Sequence, residues 1–357
     1  MKTTLLLLIG LLFLASASIY SFGHEKGVMA CSACHIMHNS QDGALVDPNN
    51  PSGNFSLLKS DNVSDLCLSC HADSYGAVFG SDPLNPPPQK GAGNYVFLLE
   101  DNINDGADGL TNPISGAHAG HSIISQMMGV GADPDFVTSP GGNFPSNKLT
   151  CTSCHDPHGN QNFRMLYGAG EVQNGLYTFT YNAPVAEGIS LLLGEETKTN
   201  HSAYVSGVSM WCANCHGGYI RRHVNSGGFV HNTDQPISNK TIMYYNAYNG
   251  TADPNGTDYT NAYLPEVPFE DPLNTTSSTT GMTGSSRIMC LSCHRAHASS
   301  ASRAGRWDFN IDLLADDGVV SSSYPLPDPY NSPTQTKLCD KCHNKMMETG
   351  IIYTPGL

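Results

Sequence analysis

The apolar positions of this chain are concentrated in one place and scattered elsewhere. Residues 5–14 (LLLLIGLLFL) form a single apolar run, preceded by Lys2 and followed by Ala15-Ser16-Ala17. A short positive start, an apolar core of this length and an A-x-A step predict a secretory signal peptide over 1–17, with cleavage as late as 21 as the alternative. The run is too short to span a bilayer, and no other stretch is long and apolar enough to do so. Past it, the helical signals are short. Ser64-Asp65 predicts an N-terminal cap leading into LCLSCH, and HSIISQMMG (121–129) reads as another short helix. NPPPQKGAG (85–93), SPGGNFPSN (139–147), DPNGTD (253–258) and SSTTGMTGSS (277–286) are turn signals. The expected fold is mostly irregular, with short α-helices and few strands, in one domain over 18–357.

Composition sharpens this picture. The 357 residues include 36 Gly and 22 Pro, and only 13% are charged. A chain this poor in periodic segments needs something besides side chains to build its core. The formal net charge of −14, with 17 Lys and Arg, argues against nucleic acid or anionic lipid as partner.

The cysteines supply the missing core material. All 12 fall into six pairs of one spacing: Cys31/Cys34, Cys67/Cys70, Cys151/Cys154, Cys212/Cys215, Cys290/Cys293 and Cys339/Cys342. An exported protein would ordinarily use them as disulfides. Here a histidine follows every second cysteine, which neither disulfides, a redox C-x-x-C nor a zinc ribbon requires. C-x-x-C-H is the attachment motif of c-type haem. Residues i and i+3 share one side of a helical turn, so the two thiols can form thioethers with the two vinyl groups of one porphyrin. The next residue then lies beneath the ring as the proximal iron ligand. The proximal set is His35, His71, His155, His216, His294 and His343, and the fold is organised around a chain of six covalently bound haems c.

Each iron has a second axial position. Nine histidines remain for six irons: His24, His38, His118, His121, His158, His201, His223, His231 and His297. Methionine is the competing ligand, and with this supply bis-histidine iron is expected throughout. Three of the nine, His38, His158 and His297, follow a proximal histidine by three residues. Each lies on the proximal side of its own porphyrin and cannot reach the opposite side. If such a histidine binds iron, it binds a different iron and ties two haems together within roughly 10 Å, given the ~5–6 Å spacing of i,i+3 side chains. The alternative is a surface histidine bonded to a haem propionate.

CHIMHNS (34–40), PGGNFPSNKLTCTSCHDPHG (140–159), WCANCH (211–216), CLSCHRAHAS (290–299) and LCDKCH (338–343) resemble the outer-surface six-haem cytochromes of metal-reducing bacteria. The similarity runs in order from about Phe22 to His343, and residues 225–285 match poorly. The resemblance implies bis-histidine cytochromes polymerised head to tail into extracellular filaments. Their implied partners are outer-membrane or periplasmic electron-donor cytochromes and acceptors such as metal oxides. It also implies distal roles for His24, His121, His158, His231 and His297. His38 would leave its own subunit and bind the iron held by Cys290, Cys293 and His294 of the next. His118, His201 and His223 are surplus, and the distal ligands of the fourth and sixth haems stay open.

The expected activity is therefore electron transfer rather than catalysis, in an extracellular or cell-surface filament. A monomeric periplasmic carrier is the alternative. A multihaem reductase would need an open iron, marked by a variant motif or a shortage of histidines; neither is present.

Overall fold

The computed structural model describes residues 30–72, 78–83, 85–87, 91–99, 103–104, 113–114, 116–173, 177–189, 196–221, 231–250, 256–318, 325–326, 329–332 and 334–343. The signal-peptide segment, His24 and His223 lie outside them. Four α-helices occur among the described residues: α1 (Val63–His71), α2 (Val208–Arg221), α3 (Asn239–Ala247) and α4 (Asp340–His343). The strands pair only as two-stranded antiparallel ladders: β1 (Ser40–Gln41) with β2 (Ala44–Leu45), β3 (Ile103–Asn104) with β4 (Pro113–Ile114), β5 (Val172–Gln173) with β6 (Tyr177–Thr178), and β7 (Val185–Glu187) with β8 (Ala203–Ser206). Turns and single 3-10 turns make up the rest, so the expected irregular fold with short helices and few strands is what the chain adopts.

Two local expectations are corrected. Helix α1 begins one residue before Ser64, and its cap is Asn62, whose side chain accepts from the Asp65 N–H. Such a cap contributes about 1 kcal/mol. Ser64 and Asp65 reach elsewhere: the Ser64 hydroxyl accepts from Cys151 N–H at 3.4 Å, and Asp65 accepts from the Ser125 hydroxyl at 2.5 Å and from Met127 N–H at 3.2 Å. The segment 121–129 is consequently not a helix. Ile124 N–H donates to Leu149 O, and Ser125 and Val130 exchange both backbone bonds across a turn. The Asp65 carboxylate holds that turn, and an outside partner for its backbone groups outcompetes helical bonding.

Apolar side chains form three small clusters instead of one core. Leu68, Phe79, Tyr95–Leu98, Ile123 and Ala298 pack against Cys151. Tyr204, Val208 and Met289 pack against Cys212. The largest, which includes Tyr245, Tyr263, Phe269, Trp307 and Leu338, packs against Cys293, Cys339 and Cys342. Each cluster thus sits beside attachment cysteines, where a macrocycle would complete it.

Candidate haem sites

The six C-x-x-C-H segments alternate between two backbone forms. The first, third and fifth are isolated 3-10 turns at Cys31–Ala33, Cys151–Ser153 and Cys290–Ser292. The second and sixth close helices α1 and α4, and the fourth lies within α2, which kinks at His216. In the turn form the histidine N–H still reaches the first cysteine carbonyl: His35 to Cys31 at 2.9 Å, His155 to Cys151 at 3.1 Å and His294 to Cys290 at 3.0 Å. Both cysteines therefore lie on one side of a turn, as two thioethers to one ring require.

The turn-form motifs share a second device. A return loop pairs with each histidine through the bridges His35–Leu58, His155–Leu166 and His294–Gly305. Its apex is a pair of left-handed residues: Ser56 and Leu57, Arg164 and Met165, Arg303 and Ala304, with φ between 51° and 59°. The first carbonyl of each pair faces an imidazole. His35 Nδ1 lies 2.9 Å from Ser56 O, His155 Nδ1 2.8 Å from Arg164 O, and His294 Nδ1 3.0 Å from Arg303 O. A carbonyl can only accept, so Nδ1 carries the proton and Nε2 keeps its lone pair for a metal. His216 achieves the same through Pro140 O at 2.8 Å, and His121 through Ala296 O at 2.7 Å. Backbone contact makes both possible. A Cβ on Gly142 would overlap the Cys215 carbonyl, and one on Gly120 the His297 carbonyl.

The rings then meet in pairs. The His35 and His158 rings have centroids 6.3 Å apart and planes parallel within 10°. His155 and His297 are 6.4 Å apart, His216 and His121 5.9 Å, and His343 and His231 5.8 Å. Two imidazoles bonded to one metal by bonds of about 2 Å place their ring centres about 6 Å apart, once the ring radius is added. Each of the four pairs joins a sequence-predicted proximal histidine to a predicted distal one. Burial pushes His216 down to about 4 and His297 down to about 3, with a neighbouring histidine adding to both, so these rings are neutral. Among the described residues, no three His, Cys, Asp or Glu side chains converge as a bare-metal site. Two imidazoles with paired thiols alongside suit a metal whose other ligands belong to a macrocycle.

The thiols also order the motifs in space. Cys34 lies in electrostatic range of Cys70, Cys154 of Cys215, and Cys293 of Cys339 and Cys342. Cys67 likewise lies beside Cys151, and Cys212 beside Cys290. Each motif thus neighbours the next one in the chain, first to sixth. The second-to-third and fourth-to-fifth junctions have the same construction. Ser209 of α2 accepts from Cys290 N–H at 3.1 Å, as Ser64 of α1 does from Cys151 N–H. Both serines stand three residues before a cysteine, a repeat the sequence shows but which carries no sign of its partner.

The remaining histidines sort plainly. His118 bonds Asp135 at 2.6 Å on the surface. His201 is buried against Tyr263, with Nδ1 3.1 Å from Ser202 O and Nε2 2.9 Å from Ser278 O, so both nitrogens are occupied. His38 is exposed, and among the described residues no imidazole faces either His38 or His294 at the separation of the other pairs.

A family model described as a doubled CXXCH motif matches residues 144–175. The chain is 28% identical to C-type cytochrome OmcS of Geobacter sulfurreducens, in an alignment spanning 97% of this chain and 99% of that protein. Two solved structures share its fold. The outer membrane cytochrome S filament of Geobacter sulfurreducens superposes with a TM-score of 0.74 at 24% identity, covering 90% of this chain and all of that one. A structure of OmcS nanowires from the same organism gives 0.72 at 25% identity, with the same coverage. The chain is therefore similar in sequence and in fold to a C-type cytochrome that forms filaments. The attachment motifs and this likeness support covalently bound haem c.

Proposed function

We propose that the chain carries electrons along six covalently attached, bis-histidine haems and joins head to tail into an extracellular filament that exports respiratory electrons. When bound, haem supplies a one-electron iron couple whose potential the axial ligands set. The protein's part is to hold each iron between two imidazoles and each porphyrin between two thioethers, in chain order, within one domain over 18–357. The proposed ligand pairs are His35 with His158, His155 with His297, His216 with His121, and His343 with His231. Donors in the outer membrane or periplasm and oxidised mineral acceptors are the partners this activity needs. Export follows from the signal peptide proposed at 1–17.

The observation that carries the filament is a rule in the pairing. The histidine three residues after the third motif's ligand faces the first motif, and the one after the fifth faces the third. The member that continues this series is His294, whose partner would come from a seventh motif. In a head-to-tail polymer the seventh motif is the first motif of the next subunit, and its histidine is His38. Even-numbered motifs follow a second rule, pairing with a histidine upstream of the preceding motif. His121 and His231 fit it, and His24 is the corresponding ligand for His71. A contact of this heterologous kind propagates into open filaments when it does not close into a ring.

The test is His38→Ala. It should leave six haems attached per chain, turn one iron high-spin and abolish long filaments. Filaments of normal length with every iron low-spin would refute the junction.

A further inference from the structure

Lys341 occupies the second variable position of the last motif, CDKCH, and is completely buried, with a relative exposure of 0%. Burying an ammonium is costly unless its protons and charge are matched. Here its Nζ donates to Tyr245 O at 2.9 Å and Tyr248 O at 3.2 Å, two carbonyls at the C-terminal end of α3. Those groups have no partner within the helix and form the negative end of its dipole. Three aromatic rings complete the enclosure: Tyr245 at 4.3 Å, Tyr330 at 5.6 Å and Tyr248 at 5.7 Å from the ammonium. Their hydroxyls are tied to the backbone, Tyr245 to Val267 O, Tyr248 to Thr336 O and Tyr330 to Tyr248 O. Carbonyls, a helix C-terminus and ring faces favour the cation, against the burial that lowers its pKa from 10.5 to about 7.

We propose that this caged ammonium raises the reduction potential of the haem attached at Cys339 and Cys342, setting that site apart from the rest of the chain. The inference rests on the proposed haem chain. Lys341 is adjacent in the chain to Cys342, one of the two cysteines that would hold this haem. Glu266 and Lys198, both half-buried, are further charged groups acting on Lys341, with opposite signs. A positive charge held in a medium of low dielectric favours the reduced, less positive state of a nearby iron. Lys341 is a positioning and tuning residue and touches no iron. A purely structural role, capping α3, would leave the potential alone.

Two variants separate these roles in the full-length, haem-loaded protein. Lys341→Gln keeps N–H donors for the helix carbonyls and removes the charge; Lys341→Arg keeps both. Spectroelectrochemical titration at pH 6 should resolve one of six one-electron steps in Lys341→Gln displaced downward by about tenfold in its equilibrium, 59 mV. The other five should stay in place, and Lys341→Arg should remain within about twofold of the parent. An unshifted Lys341→Gln with six low-spin haems would overturn the proposal and leave a structural cap. Loss of the sixth haem in both variants would also overturn it, showing a folding role. Fewer than six haems in the parent protein would instead overturn the haem chain on which it rests.

Discussion

The ligand pairs turn on single side chains whose two nitrogens do different work. In the proximal residues that follow turn-form motifs, Nδ1 is spent on a carbonyl and Nε2 is left free. Removing a distal ring should therefore open one iron without loosening its partner. For His158→Ala the opened iron is the one on His35, since those rings face each other at 6.3 Å. Six haems should remain attached, one-sixth of the iron should become high-spin, and the reduced protein should bind carbon monoxide where the parent does not. The six C-x-x-C-H segments, with the cysteines and histidines proposed to hold haem, could be read from the sequence because the motif is a local pattern. The i+3 histidines were equally visible, but their partners were not. His158 and His35 stand more than a hundred residues apart, and spacing carries no information about contacts at that range.

At the level of elements, the sequence showed that segments would be short but misplaced some of their partners. HSIISQMMG has the composition of a helix and forms a turn, because Asp65 of α1 claims the Ser125 hydroxyl and the Met127 N–H. The alternation of turn and helix among six near-identical motifs was not legible either. It depends on return loops such as 54–58 and 162–166, whose left-handed residues include Leu, Arg and Met as well as Ser. Backbone proximity is tested by two glycines. Gly142→Ala forces a methyl group into the Cys215 carbonyl and should displace the loop that holds His216. It should lower thermal stability markedly and disturb the low-spin signal of the fourth haem. Gly131→Ala meets open space and should stay within ±0.5 kcal/mol of the parent. Helix α2 offers a pH test. Glu270 accepts from Val208 N–H at its N-terminus at 2.6 Å, and burial, aided by Asp234, raises its carboxyl from 4.5 to about 7. A carboxyl with a raised folded pKa favours folding while protonated, so its contribution is full below about 4.5 and lost as pH rises through about 7. Thermal unfolding should show stability falling between about pH 4.5 and 7, and Glu270→Gln should flatten that fall.

For the whole molecule, three modest side-chain clusters beside the thiols explain how a chain this irregular can be ordered. Apolar macrocycles between them would supply the remaining core. Haem attachment and folding should then be inseparable, and material expressed without haem ligation should lack cooperative unfolding. The two pairing rules give the assembly a direction: the first motif offers an exposed histidine, and the fifth presents an imidazole, His294, packed edge to face on Phe309 with no second imidazole among the described residues paired to it. Electron cryo-microscopy of the assembled, secreted protein tests this most directly. The expected map has irons between His35 and His158, His155 and His297, His216 and His121, and His343 and His231, in chain order, and His38 of one subunit on the iron of His294 in the next. A map in which His294 is capped from its own chain, or in which His38 stands in solvent, would contradict it.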